Sequence, residues 1–128
     1  MNIELRPLQE SDLPILAATS GGPAWNGSST LWLNYLDDQR QGSRTVRLAV
    51  CSHRILGYGT LLWHSAYHPF YQSGIPEISN LVVAESDRRQ GIASQLIAEF
   101  EDLARLAGKS VIGLGVGLYA DYGSAQRL

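Results

Sequence analysis

Apolar and polar residues alternate along several short stretches of the chain, which predicts β-strands joined by turns. The alternation is weak near the N-terminus and regular on both sides of the polar segment Cys51-Ser52-His53-Arg54, which predicts an antiparallel hairpin. Later apolar runs predict two further strands. The predicted strands cover residues 2–8, 45–50, 55–63, 77–83 and 110–116.

Apolar residues at helical spacing predict four helices. Ser11 is the predicted N-cap of a short helix, and a second helix is expected from Ser29 or Thr30 to about Arg40. Residues 65–76 are predicted to form a loop, and residues 122–128 begin a last helix. The longest predicted helix covers residues 90–107, with Gly108 as the residue that ends it. Its apolar face consists of Ile92, Leu96, Phe100, Leu103 and Ala107.

The order of elements, β-α-α-β-β-β-α-β-α, combines an antiparallel hairpin with one right-handed β-α-β crossover. It predicts a mixed α/β fold in a single domain spanning residues 1–128. A dinucleotide-binding domain would carry its glycine-rich turn after the first strand. Here the turn with Gly91 follows the fourth strand, which argues against that class.

The composition of the chain limits which classes of binding partner it can have and indicates its cellular compartment. A net charge of −2 gives no electrostatic basis for binding nucleic acid. No apolar stretch approaches the ~20 residues of a membrane span, and the N-terminus does not resemble a signal peptide. With a single cysteine, Cys51, the sequence indicates a cytoplasmic protein.

The segment Arg88-Arg89-Gln90-Gly91-Ile92-Ala93 carries the strongest chemical signal, because it joins a predicted strand to the long helix. The first N–H groups of a helix lack intrahelical partners, and the helix dipole adds about half a positive charge there. A phosphate group can accept those N–H bonds, and Gly91 has no Cβ to obstruct it. The segment is therefore a predicted anion site.

These residues resemble the signature turn Q/R-x-x-G-x-G/A of the GNAT superfamily of acyl-CoA-dependent N-acyltransferases, and Leu56-Gly57-Tyr58-Gly59 is similar to the segment preceding it. The resemblance implies a three-layer α+β domain whose mainly antiparallel sheet has helices on both faces. It also implies acetyl-CoA as co-substrate and transfer of acetyl to a primary amine of a small molecule or protein. The alternative from another class is a non-catalytic acyl-CoA-binding or partner-binding module.

The resemblance further implies which residues bind the co-substrate. The exposed backbone of Leu81, Val82 and Val83 would pair with the pantetheine arm, and an N–H at Leu81 or Val82 would polarise the thioester oxygen. Side chains of Arg88 and Arg89 would add complementary charge. The backbone amides expected to hold the pyrophosphate are those of Arg89, Gln90, Gly91, Ile92, Ala93 and Ser94.

Glu77 is the candidate catalytic base, since an amine acceptor must lose a proton before it attacks. It lies fourteen positions before Gly91, which matches acidic bases of some relatives; otherwise it is a solvated residue at the start of a strand. His64 and His68 lack acidic partners, so no metal site is predicted.

The C-terminal part departs from the family pattern. Tyr122 stands where the family's last helix has asparagine, and the chain ends at Leu128, where the family has its acid tyrosine and two more strands. No residue fills the role of general acid by motif; Tyr119 and Tyr122 are the nearby substitutes, and the alternative for each is packing or contact with the pantetheine arm. We therefore expect a truncated domain without its last strands, with an open edge at residues 110–116 through which a homo-oligomer would form.

Overall fold

The computed structural model describes residues 2–17, 29–65 and 68–114. Five strands form one sheet and follow each other in space in the order of the chain. The strands are β1 Glu4–Pro7, β2 Arg44–Cys51, β3 Arg54–Leu62, β4 Glu77–Val83 and β5 Gly113–Leu114. The helices are α1 Leu13–Ala17, α2 Ser29–Gln41, α3 His68–Ser73 and α4 Ile92–Leu106.

Strand pairing confirms the predicted mixed and mainly antiparallel sheet. β1 to β4 pair with their neighbours in antiparallel fashion, and the Cys51–Arg54 pair closes the predicted hairpin. β5 pairs with β4 in parallel, so the chain crosses over between them through α4. The α/β architecture expected from the order of elements is therefore present.

Helices cover both faces of the sheet and bury a separate apolar cluster on each. α1 and α2 lie on one face and α4 on the other, which gives three layers. The cluster under α1 and α2 includes Leu16, Trp32, Leu36, Val46, Leu48 and Tyr58. The cluster under α4 includes Leu56, Leu61, Ile78, Leu81, Ile92, Leu96 and Phe100.

β3 carries a glycine at the position where the side chain of Phe100 on α4 packs against it. A Cβ atom at Gly59 would lie 2.7 Å from Cε2 of Phe100, closer than real Cβ atoms come to other heavy atoms. The predicted apolar face of α4 is correct at Ile92, Leu96 and Phe100 but wrong at Ala107. Ala107 is exposed at the helix end, whereas Ala104 is buried.

The ends of α4 follow from two glycines. Gly91 has φ +78°, a left-handed conformation that cannot continue into a helix, so α4 begins at Ile92 rather than at Gln90. Gly108 has φ +82° and donates to Arg105 O, while Lys109 N–H donates to Ala104 O. These two bonds form a Schellman motif and confirm Gly108 as the terminating residue.

Three local predictions need correction. Ser11 does not cap the first helix but lies within a 3₁₀ turn, Glu10–Asp12, whose last residue, Asp12, accepts the Gln9 N–H on its carboxylate at 2.8 Å. Residues 65–76 are not loop throughout, since they contain α3. The strand predicted over 110–116 begins only where the Gly113 N–H reaches Pro76 O at 2.8 Å, and residues 110–112 are not strand. The helix predicted at 122–128 lies outside the described residues.

Candidate active site

The candidate site begins at the edge of β4 that faces β5. β5 pairs with β4 only at Glu77 and Ile78. Within residues 2–17, 29–65 and 68–114, no residue pairs with Leu81–Val83 on that side, whereas β3 pairs with them on the other. Among the described residues, this part of β4 therefore has backbone N–H and C=O groups without a strand partner on that side.

The pairing of β4 with β3 determines which backbone groups point towards the open edge. Ala84 N–H donates to Leu56 O at 2.8 Å, and hydrogen-bonded and non-hydrogen-bonded pairs alternate along an antiparallel ladder. By this alternation Val82 turns its N–H and C=O towards β3, while Leu81 and Val83 turn theirs away from it. Of the two residues predicted to polarise the thioester, only Leu81 is oriented to do so.

A β-bulge contributes to this orientation. Thr60 pairs with Asn80, but the next residue of β3, Leu61, pairs with Ile78, so Ser79 is an extra residue in β4. The insertion changes which side of the strand each later backbone group faces. It therefore places Leu81, rather than Asn80, at the open edge.

A tight turn connects this edge to α4. A 3₁₀ turn, Glu85–Asp87, follows β4, and Asp87 N–H donates to Ala84 O at 2.8 Å. Arg89 (φ +67°) and Gly91 (φ +78°) then adopt left-handed conformations. Apart from Gly91 and its two chain neighbours, no atom of the described residues would lie within 4 Å of a Cβ at Gly91, so the backbone here leaves room for an approaching group.

The N-terminus of α4 provides hydrogen-bond donors at the end of this turn. Gln95 N–H donates to Gly91 O at 3.0 Å, and no side chain caps the helix. In the described part of the chain, the N–H groups of Ile92, Ala93 and Ser94 have no acceptor, as expected for the first turn of a helix. Their alignment with the helix dipole makes the position suitable for an anion.

The two predicted arginines of the turn are placed differently. Arg88 Nε donates to Val83 O at 3.2 Å, so its side chain folds back onto the end of β4. Arg89 and Gln90 are exposed beside the open amides. Arg89 is therefore in the better position to add positive charge to the anion site.

Glu77 is buried, so the alternative interpretation of it as a solvated residue at the start of a strand is wrong. Its Oε1 accepts a hydrogen bond from the Ser65 hydroxyl, and Ser65 is also buried. Strands rise about 3.3 Å per residue, so the backbone of Glu77 lies at most about 13 Å from that of Leu81. The carboxylate can therefore take up a proton from a reaction at that edge only from the acceptor amine itself or through a bridging water.

A polar group that the sequence did not single out lies on the α2 side of the sheet. Asn80 Nδ2 donates to the hydroxyl of Tyr35 on α2. The guanidinium of Arg44 lies 4.6 Å from the centroid of the Tyr35 ring and donates to Thr60 Oγ1 at 2.8 Å. Thr60 is the cross-strand partner of Asn80, so these residues fix β4 at the bulge. Only their contacts in space, and no motif, could have identified them.

Some predictions concern residues that the structure does not describe. Tyr119 and Tyr122, the candidates for the general acid, lie outside the described residues. Among the described residues, no three His, Cys, Asp or Glu side chains are grouped as metal ligands would be. None of the described helices combines the length and the hydrophobicity needed to cross a membrane.

Comparison with known proteins agrees with this architecture. The sequence model of the acetyltransferase (GNAT) family matches residues 12–125. No curated protein sequence matches the chain. An acetyltransferase of Trypanosoma brucei is 25% identical, with a TM-score of 0.66 over 91% of this chain and 84% of that protein.

Two further solved structures share the fold at lower identity. The aminoglycoside 6′-N-acetyltransferase AAC(6′)-Ih of Acinetobacter baumannii has a TM-score of 0.77 at 16% identity, over 98% of this chain and 87% of that one. The ribosomal-protein-alanine N-acetyltransferase of Brucella melitensis has a TM-score of 0.73 at 17% identity, over 98% and 88%.

Proposed function

Because the chain belongs to the acetyltransferase (GNAT) family, we propose that it transfers an acetyl group from acetyl-CoA to a primary amine of a small molecule or protein. The observation that carries the proposal is the combination of an open strand edge and uncapped helix amides at the two ends of one turn. A thioester carried on a pantetheine arm with a pyrophosphate at its far end matches this arrangement. Acetyl-CoA supplies an acyl group activated towards attack by an amine.

The residues of β4 have two roles in this proposal. Leu81 C=O and Val83 N–H pair with the pantetheine arm. Leu81 N–H is the donor for the thioester oxygen, on which negative charge develops during attack. The amides of Ile92, Ala93 and Ser94 hold the pyrophosphate, with Arg89 beside them.

Glu77 removes the proton that the acceptor must lose. A free alkylamine has a pKa of about 10.4 and is mostly protonated at neutral pH. The buried carboxylate accepts this proton directly or through a water molecule, the C–N bond forms and the C–S bond breaks. The departing thiolate then needs a proton donor, for which Tyr122 and Tyr119 remain the predicted candidates.

The experiment is a turnover assay that detects free thiol from acetyl-CoA with a panel of primary amines, together with CoA binding measured by thermal shift. Glu77→Gln keeps the shape of the side chain but cannot take the proton, so turnover near neutral pH should fall by about 10²-fold or more. CoA binding should not change. Raising the pH should restore part of the activity, because more of the amine is already neutral.

Glu101→Gln is the matched control, since it removes the same charge from an exposed position on α4. Unchanged turnover in Glu77→Gln would show that Glu77 is structural. CoA binding without thiol release for any amine would favour the non-catalytic acyl-CoA-binding module. Failure of CoA to raise the melting temperature would refute both functions.

The proposal also includes the cellular location of the protein and its oligomeric state. The single free cysteine, Cys51, supports a cytoplasmic location. Homo-oligomer formation through the segment 110–116 remains a prediction, which light scattering at several protein concentrations tests. A concentration-independent monomer would contradict that role.

A further inference from the structure

The tip of the β2–β3 hairpin is tied to the turn before α4 by one ion pair. Arg54 Nη1 and Nη2 donate to the two carboxylate oxygens of Asp87 at 2.8 and 2.9 Å. The side chain of Asp87 is only 4% exposed, whereas that of Arg54 is 57% exposed. The two residues are 33 positions apart in the sequence, and their ion pair connects the start of β3 to the 3₁₀ turn that follows β4.

A buried carboxylate without a partner is costly, so this pairing strongly constrains where Asp87 can lie. Asp87 is also fixed through its backbone by the N–H bond to Ala84 O. It is the last residue before Arg88, and only three residues separate it from Gly91. A shift of Asp87 would therefore be transmitted directly into the turn that presents the amides of α4.

We propose that Arg54 and Asp87 are positioning residues for the pyrophosphate cradle. This inference rests on the proposed function, because it requires acetyl-CoA to bind at the N-terminus of α4. Arg54 belongs to the hairpin, outside the signature turn, and Asp87 directly precedes that turn. The bidentate geometry fixes orientation as well as distance, which a single contact from lysine cannot reproduce.

The test compares acetyl-CoA with S-acetylpantetheine, which retains the thioester arm but has no pyrophosphate. A displacement of about 1 Å at a binding group can lower the catalytic efficiency by up to about 10²-fold. Asp87→Asn should therefore raise the KM for acetyl-CoA by about ten- to a hundredfold. The kcat/KM for S-acetylpantetheine should stay at the parent value. A general weakening of the fold would reduce activity with both donors equally.

Arg54→Lys provides a second variant that keeps the charge and avoids an unpaired buried carboxylate. Its KM for acetyl-CoA should lie between those of the parent and Asp87→Asn. The matched control is Arg105→Lys, which alters an exposed ion pair to Asp102 (2.7 Å) elsewhere on α4. It should leave the KM for both donors unchanged.

Equal losses with the two donors, or an unchanged KM for acetyl-CoA in Asp87→Asn and Arg54→Lys, would overturn the positioning role while leaving the proposed function intact. If the parent protein neither binds CoA nor uses either donor, the proposed function itself fails. Circular dichroism of each variant separates a folding defect from a change in donor preference.

Discussion

Replacing His53 with glycine should stabilise the fold, because the β2–β3 turn forces two non-glycine residues into left-handed conformations. Ser52 has φ +49° and His53 has φ +71° between the paired residues Cys51 and Arg54. Two-residue hairpin turns with positive φ at both central positions favour Asn-Gly or Gly-Gly. Both side chains are exposed, so the substitution removes little packing.

The expected gain follows from two opposing effects. A non-glycine residue in the left-handed region costs roughly 1–2 kcal/mol, and a glycine costs roughly 0.5–1 kcal/mol through its greater freedom in the unfolded chain. The difference favours His53→Gly by about 0.5–1 kcal/mol. For a domain of this size we expect the melting temperature to rise by about 2–4 °C.

Thermal or urea unfolding of parent, His53→Gly and His53→Ala measures this effect. His53→Ala removes the imidazole but keeps a Cβ, so the backbone strain stays and the melting temperature should not rise. Equal shifts for glycine and alanine would show that the imidazole, rather than the backbone, determines the effect. A lower melting temperature for His53→Gly would refute strain in this turn.

Two further substitutions test the anion site and the N-terminal ion pair. Gly91→Ala should cost roughly 0.5–1 kcal/mol by the same balance of strain against glycine entropy, and it should abolish CoA stabilisation. Gly42→Ala, at φ +82° and equally open, should cost as much but preserve CoA binding in a thermal shift assay. Burial acts to raise the pKa of Asp12, but hydrogen bonds from Arg6 and from the Gln9 N–H lower it overall. The ionised Asp12 carboxylate therefore stabilises the fold above pH 3.8, its usual pKa, and this stabilisation is lost on acidification. The difference in melting temperature between parent and Asp12→Asn should be largest near pH 7 and shrink below pH 3.8. A difference that does not vary with pH would exclude this role.

The elements that the sequence predicted well are those defined by local periodicity. The strand over residues 77–83 has the predicted bounds, and α2 ends within one residue of the prediction. The register of apolar residues determines which face of an element is buried, and this information is present in each segment alone. Gly108 was also predictable, because the positive φ angle at the residue that follows a helix selects glycine.

Contacts between polar side chains distant in sequence were not predictable. Asn80 and Tyr35 are 45 positions apart, and Ser65 reaches Glu77 from outside β4. A periodic pattern shows which face a residue occupies but not which partner it meets there. The bulge at Ser79 is a second case, since an extra residue changes the direction of later backbone groups without altering the apolar pattern enough to be recognised.

The candidate site depends on β3 as much as on the segment that carries the family signature. β3 pairs with one side of β4 and thereby leaves Leu81 facing the open edge. Gly59 allows Phe100 to approach, which places α4 and its amides against the sheet. Arg54, at the beginning of the same strand, holds Asp87 and with it the turn between these two parts. A motif in β4 and α4 can therefore locate the site, but β3 determines its geometry.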